Sequence, residues 1–151
     1  MAAFNLSGSM ASTYSISVTA SGGAYVLSGN DRNGSVSGNN ATVTVSIGDT
    51  LNFVVNASGH PFFIKTAATT GTGNQVSTPA ATNQGSQSGT VSWTPNTAGT
   101  YYYICQYHGS MVGTITVLTV SSAHQTAAIE FKPSTATPFV TPTFQSVTKA
   151  T

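Results

Sequence analysis

The feature that most constrains this chain is a period of two. Tyr14, Ile16 and Val18 alternate with Ser15, Ser17 and Thr19, and Val43, Val45 and Ile47 alternate with Thr42, Thr44 and Ser46. Leu51, Phe53 and Val55 follow a Gly48-Asp49 turn. Successive side chains of an extended strand point to opposite faces, so each such segment has one apolar and one polar face. Further apolar runs come at Phe62-Phe63-Ile64, at Val91 and Trp93, from Tyr101 to Cys105, and at Ile115 and Val117. Gly, Asn, Asp and Pro separate them, and Asn33-Gly34 is a hairpin-turn dipeptide. Many short strands at this spacing bury their apolar faces by packing two sheets or closing one, which predicts an all-β sandwich or barrel.

This pattern occupies residues 13–120 and defines one domain. Residues 1–12 are small and polar with isolated Phe4, Leu6 and Met10, and read as an N-terminal arm. Residues 121–151 carry Pro133, Pro138 and Pro142 in Thr-, Ser- and Ala-rich sequence. Prolines at that spacing exclude a regular helix and disfavour a central strand, so this part reads as an extended C-terminal tail. The stretch Ala67 to Ser88 is almost free of large apolar residues and reads as a long surface loop. Met1 to Met10 show no basic start and no continuous apolar run, so no signal peptide is expected. No apolar run is long enough to span a membrane. The sequons at Asn5, Asn33, Asn40 and Asn56 are chance matches in a chain so rich in Asn, Ser and Thr.

Charge excludes several functions. Only 5% of the residues are charged: Asp31, Asp49, Glu130, Arg32, Lys65, Lys132 and Lys149, summing to +1. An average globular chain carries roughly a quarter. There is no basic patch to neutralise phosphates, so no nucleic-acid partner is expected. Paired carboxylates for glycoside hydrolysis are absent too.

Chemistry concentrates where a strand ends at Cys105 and a short loop holds His108 and Met111 before the next strand begins near Gly113. Upstream, Gly59-His60-Pro61-Phe62-Phe63 places a second histidine just after a strand. A lone Cys is ordinarily a small buried hydrophobe, and a lone His is ordinarily a surface residue. The joint spacing points instead to metal. Thiolate and thioether are soft donors suited to Cu(I), and imidazole suits both copper oxidation states. A trigonal His₂Cys site with a weak axial Met holds copper between its two preferred geometries. A nucleophilic Cys105 with His60 or His108 as base is the rival reading, but no oxyanion device accompanies it, and no enzyme is expected. His124 sits beside Gln125 in the tail and reads as solvated. Trp93 and Tyr103 read as core. By strand parity Tyr101, Tyr103 and Cys105 share a face, and Tyr102 and Ile104 point the other way.

These segments resemble the cupredoxins, the small blue-copper proteins that include plastocyanin and amicyanin. The resemblance covers roughly residues 13–120. It is specific at Gly99-Thr100-Tyr101, at Tyr103-Ile104-Cys105, in the C-x-x-H-x-x-M loop, and at Gly113 to Val117. The loop has the shorter, amicyanin-like spacing. The resemblance implies a Greek-key β-sandwich and one copper ion. His60, Cys105 and His108 would be its strong equatorial ligands and Met111 the axial one. It makes Tyr101 the tyrosine-corner residue. Pro61 departs from the pattern, because plastocyanin has at that position an Asn that braces the ligand loop. The acidic patches of plant plastocyanins are missing, and a single Cys does not suit a dinuclear copper centre.

Two roles follow. In the favoured one the domain is a structural or decoration subunit of a larger assembly such as a phage virion, tied to other subunits through its arms and displayed on the virion surface. The poverty of charge, the arms and the absence of a signal peptide motivate it. The Ser/Thr/Gly/Asn-rich composition and the Gly-His-Pro-Phe and Cys-Gln-x-His patterns also look similar to those of marine phage proteins. The alternative is a free one-electron carrier, periplasmic or extracellular. A redox partner would then meet it at a His108 surface ringed by Pro61, Gly109 and Met111, with Tyr107 exposed nearby.

Overall fold

A computed structural model describes residues 10–120. The expected tail, with His124, and residues 1–9 of the expected N-terminal arm lie outside the described residues.

Among the described residues there are nine strands and no helix: β1 (Thr13–Ser21), β2 (Ala24–Asp31), β3 (Gly34–Asn39), β4 (Val43–Ser46), β5 (Thr50–Asn56), β6 (Phe62–Lys65), β7 (Ser88–Trp93), β8 (Gly99–Cys105) and β9 (Val112–Leu118). They form a five-stranded sheet in the order β3-β2-β1-β5-β7 and a four-stranded sheet in the order β4-β9-β8-β6. Both sheets are mixed: β1 runs parallel to β5 and β4 parallel to β9, while the other neighbours are antiparallel. The all-β sandwich expected from the period of two is the fold observed.

The alternation decides which side chains meet between the sheets. Ile16 and Val18, Leu51, Phe53 and Val55, and Val91 and Trp93 come from one sheet. Val43 and Val45, Phe62 and Ile64, Tyr103 and Cys105, and Ile115 and Val117 come from the other. All are buried. Each large apolar side chain so removed from water contributes about 1.5–3 kcal/mol. Two strands escaped the sequence pattern. β2 opens on Ala24-Tyr25-Val26-Leu27, an unbroken apolar run, and β3 offers a single apolar side chain, Val36. Their turn lies one residue earlier than the Asn33-Gly34 dipeptide suggests: Arg32 and Asn33 form it, and Gly34 already pairs with Asp31. The Asp31 carboxylate accepts the Asn33 amide at 2.7 Å and so moves the bend.

Segment 66–87 is more than a surface loop. Phe63, Lys65 and Ile104 point away from the space between the sheets, yet all three are buried. The segment covers Phe63 and Lys65. Val76 N–H donates to the Ile64 carbonyl, and the Gln84 amide bonds both backbone groups of Ile64. The Phe63 ring packs on Gly85. The Lys65 ammonium donates to the carbonyls of Thr69 (2.8 Å) and Gly71 (2.6 Å). Burial lowers its pKa. The covering segment also protects the free edge of β6 from pairing with another chain.

Between β8 and β9 the Tyr103 ring lies directly over Gly113. A Cβ there would overlap the ring. The Tyr103 hydroxyl passes beyond it to the Ala41 carbonyl at 2.7 Å. At the start of β8 the Tyr101 hydroxyl donates to the Thr97 carbonyl four residues upstream at 3.1 Å, the bond expected of a tyrosine corner.

Candidate metal centre

The register of β6 on β8 brings the predicted residues together. Phe62 stands opposite Cys105, so His60, two residues before Phe62, sits just beyond the strand end beside the sulfur. A turn closed by His60 N–H to the Ala57 carbonyl delivers it. Gly59 occupies the left-handed region there, with φ of 80°, which side chains rarely tolerate. On the other side, Cys105 N–H bonds the Met111 carbonyl and Met111 N–H bonds the His108 carbonyl, closing the loop that carries His108 and Met111. Gln106 N–H donates to the Pro61 carbonyl and ties the two ligand segments together.

The result is a triangle of donor atoms. His60 Nδ1 lies 3.2 Å from His108 Nδ1, and Cys105 Sγ lies 3.4 Å from His108 Nδ1 and 3.8 Å from His60 Nδ1. The point equidistant from these three atoms is about 2.0 Å from each, close to the length of a bond from imidazole nitrogen to a first-row metal. Among the described residues this is the one cluster of three or more Cys, His, Asp or Glu side chains able to share an ion. Cys105 is fully buried, His60 is partly covered and His108 is exposed. Met111, the fourth predicted donor, is 1% exposed and packed into the core. The donor set is soft and nitrogen-rich without a carboxylate. It fits copper, and it does not fit a hard cation such as calcium or magnesium.

The family comparison agrees. The family of copper-binding proteins described as plastocyanin/azurin matches residues 24–118, well over half of the chain. The chain belongs to this cupredoxin family. Its cofactor is copper. Solved structures similar to this cupredoxin include rusticyanin from Thiobacillus ferrooxidans, at 25% identity over 70% of this chain and 77% of that one, with a TM-score of 0.45. Reduced rusticyanin matches at 22% identity over 74% and 88% of the two chains, with a TM-score of 0.41. The reduced Cu(I) form of an amicyanin variant matches at 22% identity over 68% and 81%, with a TM-score of 0.40. No curated protein matches this cupredoxin.

Two expectations about the surroundings change. The ring expected around His108 is different, because Pro61 and Met111 are buried. Tyr107, Gly109 and Ser110 are the exposed neighbours, with Tyr107 62% exposed. The bracing that Pro61 cannot provide comes from residues the sequence reading did not single out. Asn40 donates its side-chain N–H to the Ser110 carbonyl at 2.9 Å and accepts the Tyr25 amide at 3.0 Å. The Ser110 hydroxyl donates to Gly23 at 3.1 Å. Gln87 accepts the Gly59 amide, and Gly71 N–H donates to Gln106. Gly23, Asn40, Gly71 and Gln87 lie far in sequence from the ligand loop, so no local spacing signals them.

Proposed function

We propose that His60, Cys105 and His108 are the strong ligands of a single copper ion, with the Met111 thioether as weak axial donor, and that the protein passes single electrons at His108. The observation that carries this reading is the convergence of two imidazole nitrogens and one cysteine sulfur around a common point, with the three atoms 3.2 to 3.8 Å apart. Bound copper supplies one-electron exchange between Cu(I) and Cu(II). The chain's own residues do the rest. Strands β6 and β8 pair with Phe62 opposite Cys105, and Gln106 N–H donates to the Pro61 carbonyl, so the backbone sets the spacing of His60 and Cys105 before any ion enters. Full burial of Cys105 keeps water from the sulfur. Nδ1 of His108 faces inward while the residue is exposed, so its ring bridges the sulfur and the solvent.

Adding Cu(II) to the purified chain tests this. One equivalent produces an intense blue colour from thiolate-to-copper charge transfer. Cys105→Ser abolishes it. Retention of the colour in that variant overturns the assignment.

A second reading concerns where the domain works. A chain with seven formal charges and 31 residues beyond Val120 suits a subunit held in an assembly such as a phage virion, with those residues contacting neighbours. Removal of residues 121–151 separates the roles. A free carrier keeps its colour, its electron transfer and its oligomeric state, whereas an anchored subunit keeps its colour and loses assembly. Among the described residues no helix is long and apolar enough to cross a membrane.

A further inference from the structure

The His60 segment has a weak point. Pro61 follows the histidine and has neither an N–H nor a polar side chain. The next residue therefore cannot anchor the peptide that leaves His60. The carbonyl of that peptide is nevertheless satisfied. The Tyr25 hydroxyl reaches across from β2, in the opposite sheet, and donates to the His60 carbonyl at 2.9 Å.

Tyr25 is built to hold that position. Its residue is 0% exposed. Its ring packs edge-on against Phe62 with centroids 5.1 Å apart, and lies 6.2 Å from the Tyr103 ring. Its backbone is clamped at both groups by Asn40, which donates its own amide to the Tyr25 carbonyl at 2.7 Å and accepts the Tyr25 amide on its side chain. A buried ring with a fixed backbone leaves its hydroxyl little freedom. Its partner is a carbonyl oxygen, which can only accept, so the hydroxyl is the donor.

We propose that Tyr25 is a positioning residue of the copper centre, bracing the His60 carbonyl from the opposite sheet in place of a brace from the residue after His60. This rests on the ligand assignment above. The hydroxyl fixes where His60 Nδ1 stands relative to Cys105 Sγ.

The structure supplies a matched control. Tyr103 is also 0% exposed, and its hydroxyl also donates to one backbone carbonyl, that of Ala41. Tyr25→Phe and Tyr103→Phe remove the same atom from the same core. In the metal-free protein, Tyr25→Phe should speed amide hydrogen exchange at Gly59 and His60 roughly fivefold, the factor that corresponds to one lost hydrogen bond. In the copper-loaded protein it should shift the charge-transfer band and the reduction potential. Tyr103→Phe should lower the melting temperature comparably while leaving exchange at Gly59 and His60, the band and the potential unchanged. Wild-type exchange and spectrum in Tyr25→Phe overturn the proposal, and so does an equal response in Tyr103→Phe. If the unmodified chain binds no copper, the ligand assignment fails, while exchange in the metal-free variants still decides whether Tyr25 braces His60.

Discussion

At the end of the sandwich where β5 begins, the chain is held by formal charge. Arg32 reaches Asp49 through two nitrogens, at 2.8 and 2.6 Å, and the Asp49 carboxylate also accepts the amides of Ser12 and Ser46. Asp49 is fully buried. At the opposite end, where β8 stops at Cys105, the bracing is neutral: Tyr25 to His60, Asn40 to Ser110, Ser110 to Gly23, Gln106 to Pro61. Of the charged residues described, Asp31, Arg32 and Asp49 lie at the first end, and Lys65 is buried under segment 66–87. The difference is physically sensible. A fixed charge beside the ligands would interact strongly with a centre whose own charge changes by one, because the field is poorly screened in a buried site. Neutral hydrogen bonds hold geometry without adding that field. The charged end is free to serve stability alone.

Cys105→Ser breaks the contrast most sharply. It should remove the blue absorption completely while circular dichroism and the cooperative melting transition persist, because the pleated core does not depend on the sulfur. Asp49→Asn is its mirror image. It should cost about 3 kcal/mol in chemical denaturation, since it leaves Arg32 facing a neutral partner, while the blue band stays at its original position. A band that moves in Asp49→Asn would show that the two ends are coupled.

The same ion pair sets an acid limit. Burial on its own would raise the Asp49 pKa, but the Arg32 hydrogen bond and the Ser46 and Ser12 amides outweigh it and hold the pKa below the ordinary value. The unfolded chain takes up that proton near pH 3.9. The stability from Asp49 is therefore complete above about pH 3.9 and is lost as pH falls through the lower folded value. Melting temperature against pH should drop in that window for the unmodified chain, and Asp49→Asn should flatten the drop.

Asn40→Ala is a smaller perturbation at the neutral end. It removes the bonds to Ser110 and Tyr25 and places alanine at a φ of 48°. About 1–2 kcal/mol of stability should go, and copper should dissociate faster, as stopped-flow chelator competition would read. The smallest effect concerns docking. The surface at His108 presents Tyr107, Gly109 and Ser110 without a charge, so electron exchange with a charged small-molecule reductant should change less than about twofold over a tenfold change in salt. A steep dependence would mean that charges elsewhere in the chain reach this surface.

Much of this molecule is legible from its sequence because the physics is local. Alternation of Ile16 with Ser17, or of Phe53 with Asn52, sets which side of a strand is apolar wherever that strand lies. The spacing of Cys105, His108 and Met111 sets a loop that one turn of chain must close. β2 and β3 were less legible, since Tyr25-Val26-Leu27 does not alternate and Val36 stands alone. Parity placed Ile104 on the side of β8 away from the sandwich, as found, but it did not foretell that side chains there are buried: segment 66–87 returns to cover Phe63, and no local pattern announces a cover.

The sequence by itself determined the period of the strands, the donor atoms and the absence of nearby carboxylates, because residue identity and spacing are properties of the chain before it folds. Only the tertiary structure decided that Phe62 stands opposite Cys105, that His60 therefore joins the sulfur, and that Tyr25 from the other sheet holds the His60 peptide. Those contacts span 35 to 45 positions. At such separations the register of the sheets and the packing between them decide which atoms meet, and many pairings compatible with the same alternation would not bring these atoms together.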